Sequence, residues 1–314
     1  MTLSEMMFFP PLFGKDEFLT GYRGRLAVLN NCRSVAELDA AIRRHSASGG
    51  ASKDSRVLSR ADGERVNFVG SVAGALECPE DSLLLSHTLW GMSIAIRDSG
   101  QGSGDGASTV SMRKAPLMRL RNALVWLCPS CVEADVGSTH WSFWHRGHQV
   151  PGRFRCSHHG DVLRAIDCPA LLTQAPHEAM GRAQLPDEQA IMYGDISTSA
   201  AITADLLEAF LSGMRVRPRR EARLALCERA KAFFGLGSGG AVTAELSKLF
   251  TEVVPRAWIS DLLPRAKFSQ GSQAFVQNII EQDVQRSSSC AYALVAGQVC
   301  ESFEDAAAVL GLKT

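Results

Sequence analysis

Two short pairs of metal-binding residue types lie near the middle of the chain, separated by residues 132–155. The first pair is Cys128 and Cys131, and the second is Cys156 and His159, each with two residues between its members. Two ligands at this spacing can bind one metal ion from a tight turn, whose amides help to neutralise the sulfur charge. Together the pairs supply the four ligands of a tetrahedral site. The sequence therefore predicts one zinc ion bound by these four residues.

The identity of the fourth ligand leaves one alternative open. His158 neighbours His159 and could replace it, although the matched two-residue spacing favours His159. Four protein ligands leave no coordination position for water or a substrate. We therefore expect the zinc to stabilise the fold and not to activate a nucleophile. Accordingly, we predict neither catalytic residues nor a site for an organic cofactor.

The loop at residues 141–152, between the two pairs, is rich in aromatic and histidine residues. Such residues could suggest an active site, but clustered histidines are often structural. We expect the aromatic side chains of this loop to cover the metal. His145 and His148 are expected to be hydrogen-bonded inside the small core that results.

A metal-dependent nuclease of the His-Asn-His type is the enzymatic alternative. In such a site a zinc-bound turn supports a second divalent metal, and a histidine activates water. His158, His159 and Asp161 favour this hypothesis. Against it, neither an asparagine nor a further histidine follows Asp161 closely, and Asn278 is far away in the sequence.

The elements that must position these residues are predicted to be mainly helical. Ser34 and Glu37 form a capping-box pattern before an apolar stripe, which predicts a helix that ends near His45. Residues 8–14 are predicted to be a non-helical stretch pinned to the body of the protein, and residues 16–30 a helix. Residues 65–72 are predicted to be a short strand or turn, and residues 83–96 a single buried helix.

Apolar residues recur at helical spacing in the second half of the chain, which predicts a helical bundle. The stripes are Leu206/Leu207/Phe210, Leu226/Ala230/Phe233, Leu246/Leu249/Phe250 and Phe275/Val276/Ile279/Ile280. The glycine-rich residues 235–240 are predicted to be a loop and not a phosphate cradle, because no strand precedes them and no Lys-Ser or Lys-Thr pair follows. The predicted fold class is mainly α, with helical domains around a small zinc-finger module.

Composition divides the chain into four parts. A run dominated by glycine and serine follows residue 97 and predicts a flexible linker. Tryptophan, histidine and cysteine are then concentrated in the central part. We predict an N-terminal helical segment over residues 1–97 and a linker over residues 98–109. A zinc-finger module follows over residues 110–170, and a C-terminal helical domain over residues 171–314.

Charge and hydropathy limit the class of protein. Lysine and arginine total 33, equal to aspartate and glutamate, which argues against a surface wholly designed to bind nucleic acid. No apolar run is long enough to span a membrane, and the N-terminus lacks the features of a signal peptide. Nine scattered cysteines do not resemble a disulfide framework. Among them, Cys227 lies on an apolar stripe and is predicted to be a core residue, and Cys168 to be structural without metal. We expect a cytoplasmic protein.

Five arginines near the start of a predicted helix form the densest basic run. They could contact phosphates or a partner, and a solvated helix face is the alternative. The residues are Arg215, Arg217, Arg219, Arg220 and Arg223.

Residues 302–312 combine a capping box, a helix of small residues and a glycine turn, a pattern typical of the opening of a helix-turn-helix. A base-reading helix would come next, but the sequence stops at Thr314. We therefore expect this part to contact protein, or to be truncated, and not to read bases as it stands. A zinc-containing DNA-binding regulator is a further alternative, and the same feature is the main obstacle to it.

Three segments carry the patterns CPxC, WHRxHQxPG and CxxHGxxL in this order, at residues 127–131, 144–152 and 156–163. They resemble the TniQ family of transposition targeting proteins. The N-terminal residues 9–25 are also similar to the start of that family, with less specificity. The resemblance implies a largely helical protein with zinc-finger and helix-turn-helix elements.

The same resemblance implies a non-catalytic adaptor. Such a protein connects target-site recognition to an AAA+ ATPase regulator that recruits the transposase. In some systems the target site is recognised by a Cascade-type CRISPR effector with its guide RNA and target DNA. The family contains dimers, so a homodimer is a further expectation.

Overall fold

Helices account for most of the described chain, which confirms the predicted mainly α fold class. The computed structural model describes residues 9–34, 37–38, 40–42, 44, 68–96, 124–167, 174–214, 216, 218–264, 268–269, 272–281 and 288–312. The predicted linker and the residues around all three predicted domain boundaries lie outside these ranges. The division into four parts therefore stays a prediction.

The elements follow one another in a simple order. The N-terminal part contains α1 Leu19–Leu29, α2 Phe68–Ala75, α3 Glu80–His87 and α4 Trp90–Ile94. The central part comprises β1 Leu124–Leu127, α5 Pro129–Thr139, a 3-10 turn Gly147–Gln149, β2 Arg164–Asp167, α6 Pro176–Ala179 and a 3-10 turn Met180–Arg182. The remaining elements are α7 Glu188–Ile196, α8 Thr198–Leu211, α9 Arg219–Phe234, α10 Gly239–Glu252, α11 Arg256–Leu262, β3 Phe268–Ser269, β4 Ser272–Gln273, α12 Ala274–Ile280, α13 Ser289–Val299 and α14 Phe303–Leu310.

The stretch before α1 is extended and pinned to that helix, as predicted. The side chain of Asn30 binds the backbone N–H and carbonyl of Phe9 at 2.8 and 3.0 Å. The Tyr22 hydroxyl donates to the Pro11 carbonyl at 2.7 Å, and the Phe13 ring stacks on the Tyr22 ring at 3.9 Å. The helix begins three residues later than predicted because residues 14–17 form a turn first.

Two predictions for the following helices are wrong. The described part of residues 65–72 belongs to α2, and residues 83–96 do not form one helix. Thr88 breaks that helix because its hydroxyl donates to the Leu84 carbonyl at 2.5 Å and accepts from the Trp90 N–H at 3.0 Å. This hydroxyl replaces the helical bonds that a continuous backbone would make.

The capping prediction at Ser34 is confirmed. Its hydroxyl accepts the Glu37 N–H at 3.2 Å, and the described residues between 37 and 44 are helical. The Glu37 carboxylate accepts the backbone N–H of Arg33, one residue earlier than in the usual reciprocal box.

The C-terminal helices bury most residues of the predicted stripes, whereas Leu249 and Phe275 are half-buried and Phe233 is exposed. Leu206, Leu226, Leu246 and Val276 are all 0 % exposed, and Cys227 is buried as predicted. Phe233, however, is 48 % exposed, so its assignment to the core is wrong. It is the second-to-last residue of α9, whose buried positions end at Ala230.

The predicted glycine-rich loop is shorter than expected, because α10 already begins at Gly239. Gly235 ends α9 with a φ of 65°, in the left-handed region that glycine adopts without strain. The hydroxyl of Ser238 caps α10 by accepting the Ala241 N–H.

Helix α13 is the central helix of this part, since almost every side chain from Ser289 to Val299 is buried. It packs closely on α8 through Gly297: a Cβ at this position would lie 2.6 Å from the Ser199 carbonyl oxygen and would overlap the Thr203 hydroxyl. Three residues then lead to α14, which Ser302 caps and Gly311 ends at φ 67°, as predicted.

Replacing Gly297 by alanine is therefore expected to destabilise the protein by about 1–3 kcal/mol, because α8 and α13 must separate to admit the methyl group. Gly137→Ala in the exposed part of α5 is the matched control, since nothing lies near its added Cβ. It should instead stabilise by about 0.5–1 kcal/mol through helix propensity. Denaturant unfolding measures both values, and equal effects would contradict the close packing.

Candidate metal centre

A two-stranded antiparallel sheet brings the two Cys/His pairs together. Leu127 of β1 pairs with Arg164 of β2, and the first pair begins immediately after β1. The second pair ends shortly before β2. Because the strands are antiparallel, the end of one lies beside the start of the other. Pairs separated by more than twenty residues in sequence therefore meet in space.

The first pair lies at the start of α5. Cys128 is the N-terminal cap residue, Pro129 takes the first helical position, and Cys131 is buried in the first turn. The fixed φ of proline suits that position, which needs no N–H donor. The N–H groups at a helix N-terminus favour negative charge, which offsets part of the cost of burying these two sulfurs as thiolates.

The second pair forms a tight turn. The Gly160 N–H donates to the Cys156 carbonyl at 2.9 Å, and Gly160 adopts a φ of 72°. The His158 N–H points to the Cys156 sulfur at 3.4 Å. These bonds orient both the sulfur of Cys156 and the ring of His159.

The structure brings all four predicted ligands into one cluster, whose donor atoms lie within 4.8 Å of one another. The Cys131 and Cys156 sulfurs are 3.6 Å apart, and Nδ1 of His159 lies 3.7, 3.3 and 3.7 Å from the sulfurs of Cys128, Cys131 and Cys156. A zinc tetrahedron with Zn–S of about 2.3 Å and Zn–N of about 2.0–2.1 Å has edges of about 3.5–3.8 Å. The donor set therefore fits a zinc ion.

The burial of the four donor residues also favours a bound metal ion. The three cysteines are almost fully buried, and His159 is the exposed member of the set. Burial raises the pKa of the Cys128 thiol to about 11 and also raises that of Cys131. Thiols in such surroundings need a cation to become thiolates, and a divalent metal supplies that charge.

His158 lies outside the cluster. It is exposed, and its ring centroid is 6.5 Å from that of His159. The alternative in which His158 replaces His159 is therefore not supported.

A hydrogen bond joins the two pairs on the solvent side. The Ser130 hydroxyl donates to Asp161 Oδ2, which also lies 3.5 Å from the Cys128 sulfur. The Ser130 hydroxyl is the main cause that lowers the pKa of the Asp161 carboxyl. Asp161, one of the residues that favoured the nuclease alternative, thus supports the Cys/His cluster.

Arg155 ties the second pair to α7. Its guanidinium makes two bonds with the Asp195 carboxylate, at 2.6 and 2.7 Å, and a third with the Gly160 carbonyl at 3.0 Å. The turn of the second pair is therefore attached to the helical part of the molecule.

Both loop histidines are hydrogen-bonded, as predicted. Nε2 of His145 lies 2.9 Å from the Asp135 carboxylate of α5, and Nε2 of His148 lies 3.6 Å from the Cys131 sulfur. Burial, followed by the charge of His145, lowers the pKa of His148 to about 3. The sequence predicts His148 in the core but not its contact with a ligand sulfur, for which no local spacing gives a signal.

The aromatic cover of the cluster differs from the prediction. Trp126 and Phe154 pack with the three cysteines, whereas Trp144 lies in a separate cluster with Val125. Trp141 packs against the His177 ring, 5.6 Å between centroids. The prediction that the loop tryptophans cover the metal is therefore wrong. Trp144 packs on the Val125 face of β1, and side-chain alternation along that strand directs Trp126 to the opposite face, toward the cysteines.

The loop instead binds the N-terminal segment. The Phe18 N–H donates to the Trp144 carbonyl at 2.6 Å, and the Arg146 N–H donates to the Asp16 carbonyl at 2.7 Å. The Asp16 carboxylate accepts the Gly147 N–H at 2.8 Å and the Arg146 Nε–H at 3.0 Å. Part of the WHRxHQxPG pattern is therefore used to attach the start of the chain.

The predicted arginine surface is only partly described. The guanidinium of Arg219 donates to the Ile96 carbonyl at 3.2 Å, and that of Arg223 donates to the Ile280 carbonyl at 3.4 Å. These two side chains bind backbone within the protein, whereas Arg220 is exposed. Arg215 and Arg217 lie outside the described residues, as does Cys168, so the contact surface stays a prediction.

Comparison with known families decides the identity. Residues 8–163, about half of the chain, match the TniQ family model. The chain belongs to the TniQ family. The match includes both Cys/His pairs, the loop between them and the N-terminal segment that this loop binds. No curated protein matches the chain.

Membership makes this TniQ protein a transposition-associated targeting protein, from a family of non-catalytic adaptors. In the described ranges, no helix is both long and apolar enough to cross a membrane.

Proposed function

We propose that this TniQ protein is a non-catalytic adaptor of transposition that holds one structural zinc ion. The adaptor would link a target-site recognition complex to an AAA+ ATPase regulator and, through it, to the transposase. The observation that carries the proposal is the closed Cys3His cluster inside the region that matches the family.

The choice of zinc rests on donor chemistry. Three thiolates and an imidazole suit a borderline-soft ion, whereas magnesium and calcium prefer oxygen ligands. With Cys128, Cys131, Cys156 and His159 bound, a tetrahedral ion has no position left for substrate. When bound, the ion supplies cross-linking of the two turns and no chemistry at a substrate.

Asp161, the carboxylate next to the second pair, already makes contacts within the Cys/His cluster. Asp161 accepts from the Ser130 hydroxyl and lies beside the Cys128 sulfur. This carboxylate therefore already serves the Cys/His cluster through Oδ2, which favours a structural role over the nuclease alternative.

Co-purification with the AAA+ ATPase encoded in the same transposon tests the adaptor role. Full-length tagged protein is mixed with that ATPase in the presence of ATP or ADP, and complexes are separated by size-exclusion chromatography. We expect a complex with the cognate ATPase and none with an AAA+ ATPase from an unrelated transposon, which serves as the control. If the cognate ATPase forms no complex with ATP present and none with ADP present, the proposal is contradicted.

The target-recognition partner is tested in the same way. Where the transposon encodes a Cascade-type effector, the assembled effector with guide RNA and target DNA is the probe, and free target DNA is the alternative probe. Binding to one of the two identifies the targeting system. Light scattering of the isolated protein measures whether it forms the expected homodimer.

A further inference from the structure

His148 is a buried histidine whose ring faces a metal-ligand sulfur. Its side chain is 4 % exposed, and Nε2 lies 3.6 Å from the Cys131 sulfur. The other ring nitrogen, Nδ1, is buried and has no hydrogen-bond partner among the described residues. Among the described residues, the one polar contact of the ring is therefore the Cys131 sulfur.

The position of the single proton on a neutral imidazole follows from this geometry. A proton on Nε2 can be donated to the Cys131 sulfur, while Nδ1 is left as an unpaired acceptor. A proton on Nδ1 would leave a buried donor unpaired and would direct the Nε2 lone pair at an electron-rich sulfur. Nδ1 is unpaired in both tautomers, so the contact of Nε2 with the sulfur decides, and the Nε2–H tautomer is favoured because only it makes a hydrogen bond there.

The backbone on both sides of His148 is fixed. The N–H of Gly147 donates to the Asp16 carboxylate at 2.8 Å. The side chain of Gln149 accepts the Trp126 N–H at 3.1 Å and donates to the Trp126 carbonyl at 2.8 Å, on the strand that leads to Cys128. The backbone that carries the ring is thus held by a strand and by the N-terminal segment, through contacts that involve no metal ligand.

We propose that His148 is a positioning residue of the metal centre, whose Nε2–H donates to the Cys131 thiolate and holds it in the orientation that binds zinc. The inference rests on the proposed zinc site and extends it to a residue that is not a ligand. An N–H donor to a thiolate fixes its direction and disperses its charge, and removing such an outer partner typically weakens metal binding about 10–100-fold.

Competition with a chromophoric chelator tests the proposal in full-length protein. His148→Phe keeps the ring volume and lacks the N–H, so zinc affinity should fall about 10–100-fold. His148→Gln places an N–H near the same point and should recover most of the loss. His145→Gln is the matched control, because its Nε2 bonds Asp135 and no sulfur, and its affinity should equal that of the wild type.

Nitrogen-15 NMR of the zinc-loaded wild type gives a second test that needs no variant to fold. We expect His148 as the neutral Nε2–H tautomer, with that proton protected from exchange. An Nδ1–H tautomer, wild-type affinity in His148→Phe, or equal losses in the Phe and Gln variants would each overturn the positioning role. A wild-type chain that binds no zinc would instead overturn the proposed centre itself, so the two failures are distinguishable.

Discussion

Cys128→Ser is expected to abolish stoichiometric zinc binding and to lower the melting temperature strongly. Cys128 is 0 % exposed and its sulfur contacts both His159 and Asp161. A serine hydroxyl cannot replace the thiolate, and the remaining three ligands hold the ion weakly. Structural zinc contributes an apparent binding free energy of about 10–16 kcal/mol in small zinc-finger peptides, comparable to the whole stability of a domain.

The effect should extend beyond the two turns. Cys128, Cys131 and Cys156 pack in the same hydrophobic cluster as Trp126 and residues of the C-terminal helices, so disorder at the centre exposes that shared core. A strong chelator should reproduce the change in wild-type protein. Metal analysis and thermal unfolding followed by circular dichroism measure the two parts of the prediction.

Cys227→Ser is the matched control, because Cys227 is also a buried thiol but lies on α9 outside the donor cluster. We expect it to retain zinc and to lose only about 1 kcal/mol, the typical effect of a single substitution. A Cys128→Ser protein that keeps one zinc per chain and an unchanged melting temperature would refute the structural site.

Glu17→Gln is expected to destabilise the protein by about 3–5 kcal/mol. Glu17 is 1 % exposed, and its carboxylate binds the Arg25 guanidinium at 2.9 and 2.5 Å and the Gly14 N–H at 2.8 Å. The glutamine amide keeps the shape but removes the negative charge, which leaves the Arg25 cation, with 9 % of its side chain exposed, without compensation.

The loss of stability should be largest where the N-terminal segment, residues 9–18, attaches to the rest of the protein. The Glu17 carbonyl also accepts from the His87 ring at 2.8 Å, and the neighbouring Phe18 binds the Trp144 carbonyl. Hydrogen exchange followed by mass spectrometry should therefore report faster exchange in residues 9–18 than in the C-terminal helices. Denaturant unfolding gives the free-energy change.

Asp195→Asn provides the comparison at an exposed ion pair. Arg155 and Asp195 also make two short bonds, but their side chains are 45 % and 32 % exposed. Solvent screens such pairs, and removing one partner typically costs about 0–1 kcal/mol. If both substitutions had the same effect on the free energy of unfolding, burial would not be the reason that Glu17 matters.

Features that depend on neighbours in the chain could be predicted well. The capping of Ser34, the caps of α14 and most apolar stripes follow from residues three or four positions apart, which a helix places together whatever surrounds it. The ligand set belongs to the same class, because each Cys/His pair is a local turn. Bringing the two pairs together in space required contact between distant parts of the chain, which the antiparallel strands β1 and β2 supply.

Features that depend on distant parts of the chain could not be predicted in this way. One local feature was also missed: Thr88 breaks a run that is apolar enough for one helix, because its hydroxyl bonds the backbone of Leu84 and Trp90, four and two positions away. Arg219 and Arg223 belong to the predicted arginine surface, and the carbonyls of Ile96 and Ile280, in two other segments, accept hydrogen bonds from their guanidinium groups. Neither outcome can be read from spacing alone.

The amino-acid sequence by itself determined the donor chemistry of this TniQ protein: three cysteines and one histidine, placed in two local turns. The tertiary structure decided what surrounds that centre. Strand alternation placed Trp126 against the cysteines and Val125 on the other face, and the contact between Asp16 and Arg146 joins residues 130 positions apart. The physical reason is that ligand spacing is a property of the local backbone, whereas burial and hydrogen-bond partners are properties of the whole packed chain.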